Sequence, residues 1–266
     1  MGERSMPPGD NTSSSSLPTG AFLSQPSVAI SRGADTGSSR QASEHFPPLY
    51  RLLRRGCEPL LRRLFDLRVA GVERLPASGP FIVAANHHNY VDGVVLGVAL
   101  PRPIAFVVMP RVYHASPLHP LFHRWVGSIP VSLERPDPGA IRRVLRVLES
   151  GRVIGIFPEG PFSREGRLVS GQPGVAMIAL RSGMPVVPAA IEGTYEALVG
   201  RRFYVPRRHP LSVRFGAPMH FARARHRRVT RAERADVTRR IMAEIASLLE
   251  VDRDRTATAT DRAGTS

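Results

Sequence analysis

Four runs of strand length, residues 81–85, 104–108, 153–157 and 185–191, contain no charged or hydrogen-bonding side chain. A strand with nothing polar on either face must be covered on both. The segments around them carry helix signals. Residues 93–100 form an apolar stretch halted by Pro101. Asp137-Pro138 opens a helix as N-cap and first residue, with Ile141, Val144, Leu145 and Leu148 on one face and Gly151 at its end. A helix over 174–181 stops at Gly183, and a last helix starts from the capping box Thr230…Glu233, with Val237, Ile241, Ile245 and Leu248 as its stripe. Shorter strands are predicted near 67–72, 127–132 and 211–215. Strands alternating with helices specify one α/β domain, a mainly parallel or mixed sheet covered by helices.

That domain is expected to span residues 47–251. Residues 1–46 are rich in Ser, Gly and Pro and show no sustained periodicity, so they read as a disordered tail. Residues 252–266 read the same way. The domain opens with an amphipathic helical segment in which Leu49, Leu52, Leu53, Leu60, Leu61, Leu64 and Phe65 alternate with Arg51, Arg54, Arg55, Arg62 and Arg63. Pro59 is expected to kink or split it. No stretch is long and apolar enough to cross a bilayer, and the polar opening residues, without an apolar run, lead us to expect no secretory leader. The single cysteine, Cys57, excludes a disulfide scaffold.

The net charge is +15, carried by arginine with no lysine, and it falls almost wholly in the central domain. Such a balance expects an anionic partner: a membrane surface, a phosphorylated substrate or nucleic acid. Residues 201–231 hold ten arginines and no acid. No helix-turn-helix, zinc-finger or RNP pattern accompanies them, which argues against nucleic acid as the partner.

Two loops carry the candidate chemistry. In Asn86-His87-His88-Asn89-Tyr90-Val91-Asp92, His87 precedes Asp92 by five residues. On a regular helix that spacing leaves them about 140° apart, so they meet only where the chain turns. A strand ending at Ala85 and a helix starting near Asp92 supply that turn. The segment equally fits a loop histidine beside a helix N-cap. In Phe157-Pro158-Glu159-Gly160-Pro161-Phe162-Ser163-Arg164, a buried strand runs into a carboxylate, a glycine and arginines at 164 and 167. Arginine there suits an anion, and the segment also fits an ordinary strand-to-loop exit with solvated charges. Arg135 serves equally as an anion ligand or a surface charge.

In this order and spacing the blocks resemble the PlsC-like glycerophospholipid acyltransferase family, which includes 1-acyl-sn-glycerol-3-phosphate acyltransferases. Asn86, His87 and Asp92 match Asn-His-x-x-x-x-Asp. Gly127, Ile129, Pro130, Val131 and Arg135 match the second block, and Phe157, Pro158, Glu159, Gly160 and Ser163 the third. Residues 185–191 match the fourth. The third block departs from the family at Pro161 and Phe162, where Thr and Arg are usual. Met109 stands near a usual Lys, and Arg111 at a frequent acid.

The resemblance implies acyl transfer from acyl-CoA or acyl-carrier protein to a hydroxyl of a lysophospholipid or glycerol phosphate. His87 would be general base and Asp92 its orienting partner. Arg135, Glu159, Gly160, Arg164 and Arg167 would bind the acceptor. It requires no metal or prosthetic cofactor. It also implies a peripheral protein on the cytoplasmic side of an anionic membrane. A catalytically impaired lipid-binding relative is the alternative.

Overall fold

The computed structural model describes residues 48–131, 138–161, 163, 165–198 and 207–263. The expected tail at 1–46 lies outside them. In chain order the elements are α1 (Pro48–Phe65), β1 (Arg68–Ala70), β2 (Ile82–Ala85), α2 (Val91–Ala99), β3 (Ile104–Val108), α3 (Pro110–Tyr113), α4 (His119–Val126), β4 (Ile129–Pro130), α5 (Pro138–Glu149), β5 (Val153–Ile156), α6 (Gly174–Ser182), β6 (Val186–Glu192), α7 (Thr194–Ala197), β7 (Ser212–Phe215) and α8 (Arg231–Ala263).

Seven strands form one sheet in the order β1-β7-β6-β2-β5-β3-β4. Every neighbouring pair is parallel except β6 and β7, so the sheet is mixed. The apolar runs form its centre: β2 and β5 are buried along their whole length, and β6 up to Ile191. The stripes predicted from periodicity pack on this sheet: Val144 and Leu148 from α5, and Ile241 and Ile245 from α8, are all buried. Parallel strands put their carboxyl ends on one edge, and α/β sheets bind ligands just beyond that edge. The turns after β2 and β5, which carry His87 and Glu159, both lie there.

The elements differ from expectation at three places. Helix α1 continues through Pro59 rather than splitting. Proline removes one donor and crowds the preceding turn; here Arg55, whose carbonyl loses its donor, lies at the exposed surface. The strand expected at 127–132 shrinks to β4, because Gly127 at φ 78° is spent as the left-handed cap of α4. Helix α8 runs to Ala263, past residue 251. Residues 252–263 are Arg, Asp, Thr and Ala, with no Gly or Pro to stop a helix before Gly264. Among the described residues no helix is long and apolar enough to cross a membrane.

Candidate active site

The chain leaves β2 at Ala85 and enters α2 at Val91, and the turn between them brings His87 back to Asp92. Asp92 stands in the first turn of α2 and is fully buried. Its Oδ2 accepts three hydrogen bonds: from His87 Nδ1 at 2.9 Å, from the His88 N–H at 2.6 Å and from the Asn89 N–H at 2.8 Å. Charge-assisted bonds of this kind are the strong ones. A carboxylate only accepts, so the contact places the ring proton on Nδ1 and leaves Nε2 as the basic nitrogen. The neighbour faces elsewhere. His88 Nε2 lies 3.4 Å from Asn86 Nδ2, and its ring meets Tyr195 edge-on.

The turn itself is braced by asparagines. The Asn86 amide donates to the Ile191 carbonyl at 2.8 Å and accepts from the Ile191 N–H at 2.7 Å. It thereby continues the β2–β6 pairing beyond the strand end. Asn89 Nδ2 donates to the Thr194 carbonyl at 2.6 Å, and Asn89 Oδ1 accepts from the Val91 N–H at 2.9 Å.

The second loop closes on the first. The His87 ring stacks on Phe157, with centroids 3.9 Å apart and planes 8° from parallel, and Phe157 stacks in turn near Phe106. Sequence reasoning missed this stack; Phe157 was visible only as a member of the third block, and Phe106 gave no signal beyond strand-like character. Glu159 is 1% exposed. Its Oε1 accepts from the His87 N–H at 2.7 Å and its Oε2 from the Val169 N–H at 2.9 Å. Burial pushes its carboxyl up to about 7, the two N–H groups pull it back, and nearby Asp92 adds to the rise. The His87 carbonyl accepts from the Ser163 N–H at 2.9 Å.

Of the other expected ligands, Gly160 adopts φ 77° at the turn after Glu159, a conformation that favours glycine. Arg167 is exposed, and its backbone N–H is held by Ser163 Oγ at 3.1 Å. Arg135 and Arg164 lie outside the described residues. The structure therefore brings His87, Asp92 and Glu159 together and sets Arg167 at the rim. Among the described residues, no three His, Cys, Asp or Glu side chains gather as metal ligands.

A base-poised imidazole backed by a buried carboxylate can take a proton from a hydroxyl. Residues 66–192 match the family model described as Acyltransferase. The chain is 29% identical over 182 residues to a 1-acyl-sn-glycerol-3-phosphate acyltransferase of Bacillus subtilis, covering 64% of this chain and 84% of that one. It is 29% identical over 135 residues to a chloroplastic 1-acyl-sn-glycerol-3-phosphate acyltransferase of Arabidopsis thaliana, and there spans 49% of this chain and 37% of the relative. Its fold is similar to the crystal structure of PlsC, the 1-acyl-sn-glycerophosphate acyltransferase of Thermotoga maritima, with a TM-score of 0.60 at 22% identity over 77% of this chain and 80% of that one. With the Asn-His-x-x-x-x-Asp and Phe-Pro-Glu-Gly loops folded against each other on this sheet, residues 66–192 carry an acyltransferase domain similar to that of the PlsC-like family.

Proposed function

We propose that this protein moves a fatty acyl group from a thioester, acyl-CoA or acyl-carrier protein, to the free hydroxyl of a 1-acylglycerol-3-phosphate-like acceptor. The observation that carries the reading is the His87–Asp92 contact at the carboxyl edge of the sheet. His87 Nε2 takes the hydroxyl proton as the acceptor oxygen attacks the thioester carbonyl. The tetrahedral intermediate collapses, the C–S bond breaks, and the imidazolium returns the proton to the departing thiolate. Asp92 holds the ring and balances its transient charge. A positioned base of this kind contributes about 10²–10⁴ in rate. The acceptor's phosphate falls to Arg167 at the rim, together with Arg164 and Arg135. The relatives named for this reaction support the acceptor class; the unusual Pro161 and Phe162 bear on which member of that class is used.

We further propose that the protein works at a membrane surface. Leu52 and Leu60 of α1 are 68% and 51% exposed, and Leu118 beside α4 is 74% exposed. Helix α1 packs against α4, and five arginines of α1 stand among its leucines. Such an element lies in the interface plane, its arginine stems along the apolar boundary.

The deciding experiment offers purified protein a panel of lyso-acceptors with acyl-CoA and with acyl-carrier protein, and follows thiol release. Turnover should vanish in His87→Ala and largely persist in His88→Ala. Equal loss in two folded variants removes His87 as the base. No turnover by the wild type with any pair leaves a lipid-binding relative.

A further inference from the structure

We infer that Glu159 is a positioning residue for the general base and takes no part in holding the acceptor. The inference rests on the acyltransfer reading above and reassigns a residue expected to bind substrate. Three observations carry it. Both carboxylate oxygens are turned onto main-chain donors, the N–H of His87 and the N–H of Val169. The residue is buried among those partners and not at the rim. An ionised carboxylate also repels a phosphate, so it is poorly suited to the acceptor's charged end.

The position of Glu159 explains what it does. His87 is fixed at four points: its ring by Asp92 and by the Phe157 face, its N–H by Glu159, and its carbonyl by the Ser163 N–H. Three of these come from the segment 157–163 that follows β5. Glu159 reaches in the opposite direction too, to Val169, and the Gln172 N–H closes on the Pro158 carbonyl at 2.7 Å. The carboxylate thus spans two chain segments with one rigid group. Removing an acceptor leaves a buried N–H unpaired beside the base, and a misplacement of about 1 Å there is enough to cost on the order of 10²-fold in rate.

The test is full kinetics on Glu159→Gln in the intact chain, with lysophosphatidic acid and acyl-CoA as probes. Glutamine has the same shape but one acceptor oxygen, so one N–H faces an amide NH₂. The expected result is a kcat fall of about 10- to 100-fold with both KM values within about twofold of wild type. Glu159→Asp, charged but one methylene too short to span both donors, should show the same split. A rise of tenfold or more in acceptor KM with kcat retained makes Glu159 an acceptor ligand and overturns the inference. Wild-type kinetics in a folded variant overturn it as well. If thermal unfolding shows that Glu159→Gln misfolds, Glu159→Asp carries the comparison, and misfolding of both makes the residue a fold element only and overturns the inference. Absence of wild-type turnover across the whole panel of lyso-acceptors, with acyl-CoA and with acyl-carrier protein, instead defeats the acyltransfer reading itself.

Discussion

Replacing Asp92 by asparagine keeps the shape of the side chain and removes its charge. Oδ2 accepts three bonds. A hydrogen bond to a charged group is worth roughly 1 kcal/mol more than a neutral one, so the two backbone bonds lose about 2 kcal/mol of stability between them. The other oxygen, Oδ1, is buried and finds no hydrogen-bond partner among the described residues. With the amide oxygen placed at Oδ2, the new NH₂ occupies that partnerless position and costs about 1–3 kcal/mol more. The reverse flip is worse, because NH₂ then faces three donors. The variant should therefore be destabilised by roughly 3–5 kcal/mol and remain folded only if the parent has that margin. The rate effect has a separate origin. When His87 takes a proton, opposite charges about 4 Å apart attract by about 4 kcal/mol at an effective dielectric of about 20. Asparagine forfeits that attraction in the transition state, which corresponds to a kcat loss on the order of 10²–10³ at about 1.4 kcal/mol per decade. The assay is single-turnover acyl transfer beside urea unfolding, with both KM values recorded. A folded Asp92→Asn variant whose kcat stays within about tenfold of wild type refutes the charge argument. An intact kcat with a raised acceptor KM makes Asp92 a ligand instead.

Three further outcomes are expected. The Glu159 carboxyl rises from 4.5 to about 7 in the folded protein, so ionising it there costs on the order of 3 kcal/mol; the penalty is absent below the unfolded value, grows through the interval and is complete above about 7. Measured against Glu159→Gln, wild-type stability should fall by roughly 2–3 kcal/mol between about pH 5 and 8, and parallel pH profiles remove the argument. A Cβ on Gly155 would come within 2.7 Å of Ile104 Cδ1 and 2.8 Å of the Phe106 ring, so Gly155→Ala should cost about 1–3 kcal/mol in unfolding free energy and lower kcat through the Phe106–Phe157–His87 stack; an unchanged denaturant midpoint with unchanged kcat contradicts both. Changing Arg51, Arg54, Arg55, Arg62 and Arg63 to Gln should weaken sedimentation with anionic vesicles, at about 1 kcal/mol per arginine near the surface, and binding should also fall with salt. Unchanged binding moves the attachment to the basic stretch 201–231.

What the sequence disclosed was local. The chain alone showed how His87 and Asp92 can meet, because a strand end and a helix start bracket them, but it fitted a loop histidine beside an N-cap as well; the resemblance of the blocks supplied the pairing. The central strands were legible because they carry nothing polar. The stack was not, since Phe106 and Phe157 are far apart in the chain and meet only through the β3–β5 register that sets Phe106 beside Gly155. The main-chain partners of Glu159 were not legible: spacing locates a carboxylate in the loop but does not say that its oxygens turn onto the N–H groups of His87 and Val169. The charge excess was read as a sign of anionic partners, yet part of it serves the fold. Arg181 donates to the carbonyls of Ala224 and Arg227, and Arg223 donates back to the carbonyl of Arg181.

The Asn86 amide, which carries the β2–β6 pairing one step past the strand, has a consequence for how activity is acquired during folding. His87 is placed by partners from three separate parts of the chain: Asp92 nearby, the loop after β5, and Ile191 at the end of β6 through Asn86. The local helices can form early, but none of them brings these partners together. Closing chain segments this long is the slow, entropically costly part of assembling such a sheet. Regain of turnover after dilution from denaturant should thus track the slow pairing of β2 with β5 and β6 and lag behind the recovery of helical signal.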